Sequence, residues 1–257
     1  NMYKAKKFRI RPLEDVVEDL RMAREYYNGY LIKRIFLADG DALICKTEDL
    51  LYVMGEANRL FPENERITMY GAPKDILLKS HEDLVKLREA GLEMVYVGAE
   101  SGDDDVLEYV KKGATHAEIA EAGKKLKEAG IKVSVTLISG LGGRKYLESH
   151  AINSAKLISE MKPDYVGFLT LLLESGAPMY EELREGKFSY LTPPEVFEEL
   201  KLFIKNVDSE GTVFRSNHAS NYISLGGTFN KDNERLLAQI EQAEKRNVYK
   251  PEYYRGL

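Results

Sequence analysis

The feature that most constrains this chain is a repeated alternation. A short apolar run of strand length is followed, again and again, by a segment whose apolar residues fall three and four apart. The strand-length runs are Ile35–Ala38, Arg66–Tyr70, Met94–Gly98, Lys132–Ile138 and Asp164–Leu173, with a brief further run at Thr212–Arg215. Between them the spacing predicts helices, for example over Leu13–Tyr27, Thr115–Ala129, Tyr146–Met161 and Pro194–Val207. Pro12 sits at the first turn of the first helix, where proline costs nothing, and Asn28-Gly29 stops it. Such alternation implies parallel strands joined by right-handed crossovers. At 257 residues, 44% of them hydrophobic, the chain suits one α/β domain with a sizeable core. No linker, low-complexity segment or internal repeat divides it, so a single domain over residues 1–257 is expected. The alternation begins with a helix, which fits a first strand lying upstream.

Composition removes several classes of function. The net charge is −5 with acids and bases interspersed and no basic block, which gives no reason to expect nucleic acid or a membrane surface. The longest apolar run, Val166–Leu173, is far short of the roughly 20 residues of a membrane span. Residues 1–11 carry five basic residues with no apolar run behind them, so no signal peptide is read and a cytoplasmic location is expected. Cys45, the one cysteine, can form neither an internal disulfide nor a cysteine metal site. The histidines at 81, 116, 150 and 218 lack metal-ligand spacing, so no metal ligand is assigned.

The stretch Met94–Gly102, MVYVGAESG, is the centre of the functional reading. Met94–Gly98 reads as a strand buried on both faces. Ligands sit at the C-terminal ends of parallel strands, which would put Glu100 and Ser101 at the mouth of a site. The other reading of Glu100 is as a cap for the helix starting near Asp103. The remaining strand ends carry Asp39-Gly40-Asp41, Tyr70-Gly71, Gly140–Gly143 with Arg144, Glu174-Ser175, and Ser216–Asn221. Glycines allow a ligand to approach the backbone closely, and carboxylates accept from ammonium groups and ribose hydroxyls. Glycine and aspartate are also ordinary turn residues. SGLGG ahead of a helix could cradle phosphate, but it lacks the lysine and serine of a P-loop. Cys45 reads as a small buried apolar side chain.

Taken together these strand ends resemble the core of the radical S-adenosylmethionine (SAM) enzymes, over roughly residues 1–175. The segment VGAESGDDDVLEYVKKG, Val97–Gly113, is similar to that family's ribose-binding motif, which implies ribose contacts from Glu100 and Ser101. ADGDAL, Ala38–Leu43, stands where the family's Gly-Gly-Glu motif meets the methionine amino group, implying that role for Asp39, Gly40 and Asp41. VTLISGLGG, Val135–Gly143, resembles the strand whose backbone passes the adenine, implicating Ile138 and Gly140, with Arg144 toward the SAM carboxylate. The resemblance implies a partial (β/α)6 TIM-like barrel of parallel strands with a C-terminal helical extension. It implies SAM and a [4Fe–4S] cluster as cofactors, with the cluster's cysteine loop upstream of residue 1. It also implies an electron donor such as flavodoxin or ferredoxin, and a 5′-deoxyadenosyl radical that abstracts hydrogen from a small-molecule substrate. The substrate would be read by residues 176–257, where Asn217, His218, Ser220 and Asn221 form the polar cluster to test. Two alternatives stay open: a non-catalytic SAM- or nucleotide-binding barrel, and an aldolase-like barrel enzyme.

Overall fold

A computed structural model describes residues 9–38 and 40–256. Seven strands lie in one sheet in chain order: β1 (Arg34–Leu37), β2 (Arg66–Tyr70), β3 (Leu92–Glu100), β4 (Lys132–Ser139), β5 (Tyr165–Thr170), β6 (Val213–Ser216) and β7 (Leu225–Thr228). The pairs β1–β2, β2–β3, β4–β5 and β5–β6 are parallel, and β6–β7 is antiparallel. Sequential, mostly parallel strands with helical crossovers are the arrangement of a partial (β/α) barrel.

The chain forms two compact units. The first comprises the described residues up to 97 together with 121–133. It holds α1 (Leu13–Tyr26), α2 (Thr47–Leu60), α3 (Pro73–Leu78), α4 (His81–Glu89), β1, β2 and most of β3. Its core contains Leu50, Met54, Ile67, Met69, Ile76, Leu84, Leu87, Val95 and Val97. β1 is the edge of the sheet. Beside it, α1, β1 and α2 border an open cavity of about 720 Å³ lined by Leu13, Val16, Leu20, Ile35, Leu37 and Val53 among others.

The second unit comprises 98–120 and the described residues from 134 onward. It holds α5 (Asp104–Tyr109), the start of α6 (His116–Glu128), most of β4, and β5 to β7. Its remaining helices are α7 (Leu147–Met161), α8 (Pro178–Arg184), α9 (Pro193–Asn206) and α10 (Asn233–Arg246). Phe168, Phe203, Phe214 and Phe229 form its aromatic centre, with ring centroids 4.7–5.8 Å apart.

The strands differ from the expectation in one respect that matters for function. Met94–Gly98 is not buried on both faces: Val95, Val97 and Ala99 are sealed, whereas Tyr96, Gly98 and Glu100 are partly exposed. β4 and β5 alternate in the same way, with Thr136, Ile138, Gly167 and Leu169 on the open side. One face of the sheet is thus packed by helices and the other carries accessible side chains, as alternating strand geometry dictates. Uncharged residues on the open face, Tyr96 and Gly98, give Met94–Gly98 the look of a fully buried strand.

Candidate functional site

In the second unit the end of β3 is an abrupt turn. Glu100 has φ +66°, a left-handed conformation unusual for a residue with a side chain. Its carboxylate folds back over Gly98: a Cβ on Gly98 would lie 2.5 Å from Glu100 Oε1. Lys112 Nζ donates to the same oxygen at 3.3 Å, and the Glu100 side chain remains 27% exposed on the open side of the strand. Glu100 does not cap the following helix. Asp103 does so itself, accepting from Val106 N at 3.1 Å. The cap reading of Glu100 is therefore replaced by that of a carboxylate held at the strand end.

Ser101 points the other way and is fully buried. Its hydroxyl accepts from Asp103 N at 2.9 Å and meets His150 Nδ1 at 2.7 Å. Gly102 lies against α7, where an added Cβ would fall 2.4 Å from Asn153 O, and its amide donates to Ser154 Oγ at 2.9 Å. This glycine serves packing within the protein, as do Gly142 and Gly143, which lie against Tyr146 and Phe188.

At the end of β4, Ile138 is half-buried on the open side while its carbonyl lies 3.1 Å from His150 Nε2. Gly140 turns the chain at φ +80°, and its amide donates to Glu199 Oε2 at 2.8 Å. Arg144 is engaged on the surface with the Glu195 carboxylate and donates to Ser189 Oγ at 2.8 Å. That guanidinium is the main reason the Glu195 carboxyl drops to about 2.

Beyond β6, Ser220 and Asn221 are buried and satisfy the backbone of β5. Ser220 Oγ accepts from Thr170 N at 3.1 Å, and Asn221 Nδ2 donates to Phe168 O at 2.8 Å. Asn221 Oδ1 also accepts from Thr170 Oγ1 at 3.0 Å. His218 is half-buried, with Nδ1 2.9 Å from Ser220 Oγ, and Asn217 is exposed. The cluster is thus gathered at the end of β5, with its serine and second asparagine turned inward.

In the first unit, Asp39 lies outside the described residues. Gly40 has φ +66° with open space around it. Asp41 Oδ2 accepts from Ala72 N at 3.0 Å, tying the loop after β1 to the loop after β2. Its other oxygen, Oδ1, is buried without a hydrogen-bond partner. Burial, reinforced by the neighbouring Asp75 carboxyl, raises Asp41 to about 6. Cys45 is half-buried, with a thiol pushed up by desolvation, and its carbonyl accepts from Lys79. On the open side of the same unit Phe36, Tyr70 and Tyr96 form a ring cluster with centroids 5.0–5.9 Å apart.

His150 and Glu199 were given no role by the sequence reading. Each had a signal: both are ionisable residues placed among apolar neighbours on the inward face of a helix, Glu199 between Val196 and Phe203.

The comparisons with known proteins bear on the fold and the family. Solved structures share the fold. Elp3 of Methanocaldococcus infernus is 18% identical, covering 91% of this chain and 60% of its own, with a TM-score of 0.60. Coproporphyrinogen III oxidase HemN of Escherichia coli, a radical SAM enzyme, is 15% identical, covering 75% and 44%, with a TM-score of 0.59. The protein is accordingly an α/β protein of the partial TIM-like barrel class seen in radical SAM enzymes. Residues 2–158 match the Radical SAM superfamily, and the chain belongs to that family. The heme chaperone HemW of Bacillus subtilis is 26% identical over 170 residues, 64% of this chain and 43% of its own length. The tRNA uridine(34) acetyltransferase of Methanocaldococcus jannaschii is 25% identical over 118 residues, 46% of this chain and 22% of its own. The chain thus spans less than half the length of either relative. Among the described residues no helix is long and apolar enough to cross a membrane.

Family membership implies SAM and a [4Fe–4S] cluster, and the two fare differently against the residues present. Among the described residues no group of three or more His, Cys, Asp or Glu is placed to hold a metal ion, and the chain has one cysteine. These residues do not fit a cluster. They do fit SAM in kind: Glu100 offers a partly exposed carboxylate at a strand end.

Proposed function

We propose that this chain is the SAM-binding core of a cytoplasmic radical SAM enzyme acting on a small-molecule substrate. Its electron would come from a flavodoxin- or ferredoxin-type donor. SAM, when bound, would supply the radical chemistry of the family; the cluster ligands are not assigned to residues of this chain. What these residues do is bind and orient. The observation that carries the reading is Glu100: a residue held at positive φ, with its carboxylate laid over Gly98 on the open face, inside a family match. Backbone strain of this kind collects at functional sites.

In this reading the Glu100 carboxylate accepts from the ribose hydroxyls. Ile138 offers its side chain to the adenine, and the Gly140 turn carries the chain past it. The buried Asp41 oxygen accepts from the methionine ammonium, with Gly40 giving the backbone room. Arg144, exchanging Glu195 for a ligand, would meet the SAM carboxylate. Asn217 and His218, which keep accessible atoms, are the substrate-side candidates. The named activities of the curated relatives, a heme chaperone and a tRNA acetyltransferase, differ from each other, so it is the family-level chemistry that this reading takes from them.

The test uses the full natural protein, with whatever precedes Asn1, reconstituted anaerobically with iron and sulfide. With SAM and dithionite it should yield 5′-deoxyadenosine and methionine by mass spectrometry. A charge-assisted hydrogen bond contributes about 1.5–3 kcal/mol, so Glu100→Ala should weaken SAM about ten- to hundredfold in calorimetry. Glu100→Gln should weaken it less. Iron incorporation without 5′-deoxyadenosine or SAM binding would overturn the reading.

A further inference from the structure

Two of the strand-end turns assigned to SAM are fastened to each other from behind by ionisable side chains that reach them from α7 and α9. His150, on α7, is 1% exposed. Its Nδ1 lies 2.7 Å from Ser101 Oγ at the end of β3, and its Nε2 lies 3.1 Å from Ile138 O at the end of β4. Glu199, on α9, is also 1% exposed. Its Oε2 accepts from Ser139 Oγ and from Gly140 N, so it holds the two residues that follow Ile138. Its Oε1 lies 3.9 Å from His150 Nε2 and has no hydrogen-bond partner.

The donor count fixes how the histidine is used. The Ile138 carbonyl can only accept, so His150 Nε2 carries a proton and donates to it. Ser101 Oγ already accepts from Asp103 N. In the neutral imidazole, Ser101 therefore donates its hydroxyl proton to Nδ1. Four groups at the two turns are then committed: the Ser101 hydroxyl and Ile138 O to His150, and the Ser139 hydroxyl and Gly140 N to Glu199. None of this is needed to pack an apolar core, and carrying a carboxyl into a site 1% exposed is costly. A leucine at 199 would fill similar space without that cost.

We infer that His150 and Glu199 are positioning residues, which set the register of the Glu100–Ser101 turn against the Ile138–Gly140 turn so that ribose and adenine contacts are made together. The inference rests on the SAM reading above. Neither residue touches the cofactor; each acts through the backbone and hydroxyls it holds.

Glu199→Gln keeps an oxygen able to accept from both Ser139 and Gly140, and Glu199→Leu keeps only the volume. His150→Leu removes both links of the imidazole. SAM is titrated by calorimetry into the full natural protein, reconstituted, and into each variant, with near-ultraviolet circular dichroism to establish folding. Amide hydrogen exchange is followed at Gly140 and Asp103. Both leucine variants should weaken SAM roughly tenfold, the loss expected for a broken buried hydrogen bond. Glu199→Leu should also speed exchange at Gly140, the amide it releases, and His150→Leu at Asp103, whose acceptor Ser101 loses its anchor, whereas Glu199→Gln should stay within about twofold of wild type. A role confined to stability would lower the melting temperature of the leucine variants and leave SAM affinity alone. Folded leucine variants that bind SAM like wild type overturn the inference, as does a glutamine variant as weak as Glu199→Leu. Should a leucine variant fail to fold, Ser139→Ala removes one of the same hydrogen bonds and is judged by the same affinity. A wild type that does not bind SAM refutes the SAM reading, and this inference with it; unchanged affinity in the variants refutes this inference alone.

Discussion

Glu100 and Asp41 show two ways a carboxyl can be prepared at a strand end. Glu100 is held by backbone: φ +66° turns its side chain back over Gly98, a placement an extended residue would not give. Asp41 is held by environment. Burial, with the Asp75 carboxyl beside it, raises it from 3.8 to about 6. A carboxyl whose folded value lies above its unfolded one adds stability in its protonated form. That contribution is complete below about pH 4 and is lost as pH rises through 6. Asp41→Asn mimics the protonated group and has nothing to lose. The melting temperature of Asp41→Asn relative to wild type should therefore rise between pH 4 and pH 7, measured by calorimetric scans at half-unit steps. A constant difference across that range would refute the assignment. The identities at these ends were legible in the sequence, since acids beside glycines mark strand termini. Their orientation was not. Ser101 follows Glu100 directly yet turns into the core, because His150, 49 residues further on, offers it a hydrogen-bond partner.

At the scale of elements, long periodic segments were readable, and two short elements, α3 and β7, were not. α1, α2, α6, α7, α9 and α10 carry three or more turns of apolar spacing, enough for a period to register. α3 has six residues, PKDILL, and shows no period. β7, LGGT, has poor strand propensity and forms by pairing along β6. β5 ends at Thr170 although the apolar run continues to Leu173, because β6 pairs only with Tyr165–Gly167 and side chains of Ser220 and Asn221 bond the backbone beyond. The contact of the β3–α5 turn with α7 shows a glycine whose reason is packing within the protein. At Gly102 the structure puts Asn153 O 2.4 Å from the missing Cβ. Gly102→Ala must push α7 away and strain the Gly102–Ser154 hydrogen bond. Overpacking of this kind costs about 1–3 kcal/mol. Thermal or urea unfolding should show that loss, and an alanine variant as stable as wild type would mean that α7 is free to shift.

Across the whole molecule, stability follows where apolar surface is sealed, and the two ends of the helix list differ sharply. α1 and α7 are of nearly equal length, 14 and 15 residues. α7 buries Ala151, Ala155, Leu157, Ile158 and Met161 along with His150 and Ser154. α1 buries only Val17. Leu13, Val16 and Leu20 instead line the 720 Å³ cavity that separates this helix from β1, the open edge of the sheet. A buried leucine-sized side chain contributes about 1.5–3 kcal/mol. A deficit of two such side chains therefore lowers the opening free energy of α1 enough to raise its exchange roughly a hundredfold or more. Pro12 and the Arg11–Asp19 pair do little against this, since an ion pair this exposed is screened by solvent. Native-state amide exchange on this 257-residue chain should thus show α1 as the least protected of the long helices and α7 among the most protected. Filling the cavity from within gives the converse. Ala23→Leu adds apolar volume to its lining and should slow exchange along α1 while leaving α7 unchanged. Equal protection of α1 and α7 in the wild-type chain would mean that burial does not set the order of opening, and that the cavity is closed in solution by a movement of α1 onto β1.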